Sequence, residues 1–145
     1  MKYFVDTSLI IDYTTKSAKH HQDAKIKLEP LLKDNNVSLI INELVELESL
    51  RTIKLSNNPE FEKIKLVLEM FTKFEVKREI YDKAIVFSRY CKSKGFSLRG
   101  KCEAIDFIHF ITAKHYGLEM LTSDGGFKTL ELHFVEHLKL LNEKN

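Results

Sequence analysis

The sequence predicts an α/β fold, with a central parallel sheet and helices on both of its faces. Two observations lead there. Short apolar runs recur at Lys2–Val5, Val37–Ile41 and Leu118–Thr122, and each reads as a buried strand. Longer segments between them carry apolar residues at helical spacing. Strands separated by helices argue for a parallel sheet, because parallel neighbours need a crossover connection.

In chain order, Lys2 to Val5 is the first strand and ends at Asp6. Ser8 to Tyr13 is helical, with Thr7 or Ser8 as its cap. Ala18 to Lys33 is a helix whose Ala24, Leu28 and Leu31 or Leu32 share one side. Val37 to Ile41 is the second strand, and Asn42 caps a helix from Glu43 to Leu55. Pro59 fits the first turn of a helix reaching about Thr72. Phe74 to Val76 reads as a short strand, and Arg78 to Lys94 as a helix ended by Gly95. Residues 96–102 form a loop. Glu103 to Tyr116 is helical and stops at Gly117. Leu118 to Thr122 is a strand, a turn follows at Gly125-Gly126, and His133 to Val135 reads as a last edge strand.

The chain of 145 residues is expected to form one domain over 1–145. With 43% hydrophobic and 30% charged residues it reads as an ordinary soluble globule. The net charge of +2 is too small to argue for nucleic acid, so local clusters must carry that argument. Cys91 and Cys102 form neither a metal-ligand spacing nor a disulfide framework, which suits reduced thiols in a cytoplasmic protein. The first apolar stretch is interrupted by Asp6 and Asp12, too short for a signal-peptide core. No run approaches the ~20 apolar residues of a membrane span.

Four acidic residues stand where an acid is locally out of place. Asp6 ends Tyr3-Phe4-Val5, Glu43 follows Leu39-Ile40-Ile41-Asn42, Asp106 lies inside Ala104-Ile105-Asp106-Phe107-Ile108, and Asp124 follows Met120-Leu121-Thr122-Ser123. In open parallel sheets, sites form beyond the carboxyl ends of the strands, which is where Asp6, Glu43 and Asp124 fall. Four carboxylates brought together repel one another unless protonated or bridged by a cation. A hard divalent metal with oxygen ligands is the economical bridge. On a helical projection Leu47 and Leu50 flank the direction of Glu43, which places Glu43 on an apolar arc, Glu46 at its edge and Glu48 away from it. Asp106 lies in the first turn of a helix that is apolar nearly all round, where the macrodipole favours a negative charge. Each acid also has a simpler reading as a helix cap, a dipole partner or a turn residue.

The same residues resemble a known family. Val5-Asp6-Thr7-Ser8-Leu9-Ile10 is similar to the opening of PIN-domain ribonucleases. Ile41-Asn42-Glu43-Leu44 resembles their second motif. Ala104-Ile105-Asp106-Phe107-Ile108, with Thr112-Ala113-Lys114-His115-Tyr116-Gly117, resembles the third. Leu121-Thr122-Ser123-Asp124-Gly125-Gly126-Phe127 resembles the last. The resemblance covers essentially the whole chain, and the length suits the toxin subunits of VapBC-type toxin–antitoxin pairs. It implies a three-layer α/β/α fold with four to five parallel strands. It also implies Mg²⁺- or Mn²⁺-dependent RNA cleavage, with Asp6, Glu43, Asp106 and Asp124 as the catalytic and metal-binding quartet. Thr7 or Ser8, and Thr122 or Ser123, are placed to orient those carboxylates. An antitoxin partner and a homodimer follow from the resemblance alone. Two positions depart from the family pattern: Gly126 stands where many members carry an acidic or polar residue, and Phe107, His109 and Phe110 stand where small residues are common.

Other residues carry weaker signals. Lys92, Lys94, Arg99 and Lys101 cluster around Phe96, a pattern that suits phosphates and a stacked base, with Lys94, Arg99 and Lys101 the candidate RNA contacts. The plain alternative is a solvated charge run. His109 reads as a hydrogen-bonded, partly buried histidine, and Glu46 and Glu48 as surface partners of Arg51 and Lys54. Two competing functions are a metal-dependent phosphatase on a similar sheet and a non-catalytic PIN-like binding or scaffold module. Haloacid-dehalogenase-like phosphatases need a second Asp two residues after the first, where this chain has Ser8.

Overall fold

The computed structural model describes residues 1–98 and 103–143. Contacts divide the chain into two compact units, Met1–Glu75 with Gly117–Ser123, and Val76–Tyr116 with Asp124–Asn145.

The first unit holds the sheet. Its elements are β1 (Lys2–Val5), α1 (Thr7–Thr14), α2 (His21–Lys33), β2 (Ser38–Ile41), α3 (Glu43–Leu50), α4 (Asn58–Leu68), β3 (Thr72–Lys73) and β4 (Glu119–Leu121). The four strands are all parallel, in the order β3-β2-β1-β4. In register, Phe4 faces Ile40 on one side and Met120 on the other. Phe4, Val5, Ile40 and Ile41 are buried, as the continuous apolar runs of a parallel sheet require. Helices α1 and α2 add Leu9, Ile10, Ala24 and Leu28 to this core.

Local capping sets the helix boundaries. Asn42 accepts a hydrogen bond from the Val45 N–H at 3.0 Å and starts α3. Asn57 does the same for α4 through the Glu60 N–H, with Pro59 in the first turn. Helix α3 stops at Leu50, five residues before the sequence pattern predicts. Its continuation finds no core, for Leu55 is 97% exposed, and the backbone tightens instead through an Ile53 N–H to Leu50 carbonyl bond. The third strand lies two residues upstream of the predicted Phe74–Val76. Its ladder closes with the Phe74 N–H donating to the Ile41 carbonyl at 2.9 Å.

The second unit is helical: α5 (Arg78–Ser93), α6 (Glu103–His115) and α7 (Gly126–Glu143). Phe87 is fully buried at its centre, stacked on Phe110 at 5.6 Å and edge-on to Phe107 and Phe134 at 5.7 and 5.2 Å. Such pairs add to the burial of their area. Gly95 and Gly117 end α5 and α6 in the left-handed region, at φ +71° and +66°. The predicted edge strand at His133–Val135 is wrong: these residues lie inside α7. Phe127, Leu130 and His137 are its buried positions, a helical rather than an alternating spacing. A local run of three β-favouring residues is outweighed by that longer period.

Candidate active site

In the first unit, Asp6 and Glu43 stand at the carboxyl ends of β1 and β2, and Thr122 follows β4. Asp6 follows β1, and its N–H bonds to the Leu121 carbonyl of β4 at 2.9 Å. Its side chain is nearly sealed, with 3% exposure. Ser8 and Thr122 both donate hydroxyl hydrogen bonds to Oδ2 of Asp6, at 2.7 and 2.9 Å. The two hydroxyls lie 3.2 Å apart, and the Ser123 N–H reaches Ser8 Oγ at 3.3 Å. Thr7 is directed elsewhere: its hydroxyl donates to Glu48 Oε1 at 2.7 Å. Of the expected supporting residues, Ser8 and Thr122 therefore touch Asp6, whereas Thr7 joins α1 to α3.

Glu43 is exposed in the first turn of α3, just past β2. The apolar arc predicted around it is not the buried one. Leu47 is 55% exposed, and the inward stripe is Val45 and Ser49, whose hydroxyl folds back onto the Val45 carbonyl at 2.7 Å. Glu43 lies about 160° from Val45 at 100° per residue, on the open side. Glu46 pairs with Lys73.

In the second unit, Asp106 and Asp124 line one cavity of about 300 Å³ with Phe96, Ser97, Leu98, Gly126 and Thr129. Asp106 is half-buried in the first turn of α6. Asp124 is exposed and accepts the N–H of Gly126 at 2.8 Å, so it also steadies the start of α7. His109 is fully buried. Among the described residues, no three of His, Cys, Asp or Glu form a group that could hold a metal ion.

Other predicted residues divide by position. Lys94 is exposed, its ammonium 5.7 Å from the centre of the Tyr90 ring. Arg99, Lys101 and Cys102 lie outside the described residues. Cys91 is buried, and desolvation, helped by the nearby Glu103, pushes its thiol up to about 11, so it is not a nucleophile at neutral pH. One residue without a sequence signal stands beside the Asp6 rim. Lys27 donates to the Thr122 carbonyl at 3.2 Å and, with His20 and Asp23, lines a cavity of about 190 Å³ against Thr122 and Ser123. Only its place beside Leu28, at the edge of the buried face of α2, marks it in the sequence.

The sequence profile of the PIN domain matches residues 3–131. The chain belongs to the PIN-domain family. No curated protein matches it in sequence. Solved PIN-fold structures do resemble it. VapBC2 of Rickettsia felis, bound to a DNA fragment from its promoter, is 17% identical, with 90% of this chain and 93% of that one covered and a TM-score of 0.69. VapC20 of Mycobacterium tuberculosis, a Sarcin-Ricin loop cleaving toxin, is 14% identical over 88% of this chain and 93% of its own, also at 0.69. A toxin–antitoxin complex from Klebsiella pneumoniae is 19% identical over 84% and 86%, at 0.61. The parallel sheet of this PIN domain is thus the one these structures share. Among its described residues no helix is long and apolar enough to cross a membrane.

Proposed function

We propose that this PIN domain is a divalent-metal-dependent endoribonuclease, the toxin of a toxin–antitoxin pair acting in the cytoplasm. One observation carries the catalytic part. Asp6 is a nearly sealed carboxylate whose hydrogen-bond partners are hydroxyls, which bring no compensating charge. A buried carboxylate wants a cation, and an all-oxygen donor set suits Mg²⁺ or Mn²⁺ rather than a softer metal.

On the family resemblance, Asp6, Glu43, Asp106 and Asp124 are the residues that would hold it. When bound, the metal would supply Lewis-acid stabilisation of charge on the phosphate and acidify water. The chain's own contribution is positional. Ser8 and Thr122 fix the Asp6 rotamer through Oδ2, so Oδ1 is the oxygen presented for ligation. Lys27, beside Thr122, is placed to meet a substrate phosphate. The likeness to toxin–antitoxin structures supports an antitoxin partner, and a homodimer is proposed from the family resemblance alone.

RNA cleavage by the purified chain tests this reading. Cleavage should require Mg²⁺ or Mn²⁺, disappear with EDTA, and be abolished by Asp6→Asn with the circular dichroism spectrum unchanged, because a neutral amide ligates a hard cation poorly. Undiminished cleavage by well-purified Asp6→Asn protein would show that the activity belongs elsewhere.

A further inference from the structure

We infer that Phe96 is a base-stacking residue, and that the cavity of Asp106 and Asp124 takes an unpaired base of single-stranded RNA on the Phe96 ring. This rests on the ribonuclease reading and adds a residue that contacts the substrate.

The ring is out of place as core. Phe87, Phe107 and Phe110 are buried and pack on one another or on Phe134. Phe96 is half-buried and lines a cavity that also presents two carboxylates, Ser97 and Thr129. A metal ion alone has no use for an aromatic wall there. A phosphate is held by charge and has no use for an aromatic wall either. The neutral part of a nucleotide is its base, and every base has a π-face that an aromatic side chain can stack on. The volume, about 300 Å³, lies at the lower end of small-ligand sites.

The ring is also held in advance. Helix α5 ends in a Schellman turn: the Gly95 N–H reaches the Lys92 carbonyl at 3.0 Å and the Phe96 N–H the Cys91 carbonyl at 2.9 Å. The backbone of Phe96 is therefore fixed to the helix end. The ring of His133 packs beside it, centroids 4.5 Å apart and planes 35° apart. His133 Nδ1 is buried with no hydrogen-bond partner among the described residues, so ring packing, not a polar contact at that atom, accounts for its place. A pre-positioned aromatic ring loses little freedom when a ligand arrives. A base within a duplex is already stacked and cannot reach such a ring, whereas a single strand can turn one out.

The chain has no tryptophan, so Phe96→Trp introduces a single fluorophore at the position in question. Placed with Asp6→Asn to prevent cleavage, it is titrated with a mixed-sequence single-stranded oligoribonucleotide, with a duplex of the same length, and with inorganic phosphate. Binding of labelled RNA is followed in parallel by fluorescence polarisation. The expected result is saturable quenching by the single strand and none by duplex or phosphate. Phe96→Ala and Phe96→Leu should each weaken single-strand binding by about 5- to 150-fold, the loss of one stacked base at roughly 1–3 kcal/mol. Leu keeps apolar bulk without a π-face, so binding equal to that of the parent would reduce Phe96 to packing and overturn the proposal. Quenching absent while polarisation still reports binding would overturn it too, and would leave the ribonuclease reading standing. If no variant binds RNA and the unmodified chain cleaves none, the ribonuclease reading falls first.

Discussion

Thr122 Oγ1 donates to Asp6 Oδ2 at 2.9 Å, joining the ends of two neighbouring strands that lie 116 residues apart in sequence. The bond orients a nearly sealed carboxylate, so its loss should be felt by whatever Asp6 ligates. Thr122→Val keeps the shape and removes the donor. Residues that orient ligands typically contribute about 10- to 100-fold in metal affinity. Mn²⁺ titration by calorimetry should show a fall in that range, with cleavage falling in step. Unchanged Mn²⁺ affinity would mean that Ser8 alone suffices or that Asp6 holds no metal.

The basic residues Lys94, Arg99 and Lys101 offer a separate test of how RNA is held. Lys94, Arg99 and Lys101 carry positive charge and would repel a metal while attracting phosphate. Replacing all three with Ala should weaken RNA binding and lower the slope of log affinity against log salt by roughly 0.7 for each phosphate no longer neutralised, with metal affinity little changed. The same slope and affinity as the parent would reduce these residues to a solvated charge run. Lys27 would then be the next cation to replace.

Stability should fall in mild acid through His137. This residue is 7% exposed and packs against Phe87 and Tyr90, and desolvation lowers its pKa from the ordinary 6.5. Below about pH 6.5 the unfolded imidazole binds a proton that the folded one resists, so unfolding takes up protons. The contribution of neutral His137 is complete above that pH and declines as pH falls beneath it. Urea midpoints between pH 7.5 and 5.5 should drop for the parent and drop less for His137→Phe. Parallel curves for the two proteins would exclude this histidine.

Much of the architecture was legible because its signals are local. Asn42, Pro59, Gly95 and Gly117 each act within one turn of the chain, and the boundaries they mark stand within a residue or two. The continuous apolar runs placed β1, β2 and β4 for the same reason. Long-range effects were not legible. Whether Leu55 finds a core, or whether His133-Phe134-Val135 pairs as a strand, depends on partners that no local window contains. At the candidate site, the Ser8 and Thr122 hydroxyls were within reach of inference because they neighbour Asp6 and Asp124 in the chain. The Thr7 bond to Glu48 was not, since nothing near Glu48 announces a partner 41 residues away. Lys27 escaped because a lysine on an exposed helix edge looks like any other until the strand end beside it is known.

Gly126 has a consequence for how this site can change. A Cβ there would come within 3.1 Å of Leu98 Cδ2 and 3.3 Å of Asp124 Oδ1. Leu98 is 8% exposed and lines the cavity of Asp106 and Asp124, so it can yield only by moving into that cavity. A side chain at 126 therefore cannot be gained by one substitution without crowding Leu98 or Asp124, at a cost of about 1–3 kcal/mol. Leu98→Ala alone would leave a void costing about 2–5 kcal/mol. Made together, the two changes should cost less than their sum, with the interaction readable in a double-mutant cycle of urea midpoints. Strict additivity would show that Leu98 and Gly126 do not constrain each other. With coupling, each single step passes through a less stable protein, and the glycine is held in place by its neighbour as much as by any demand of the chemistry.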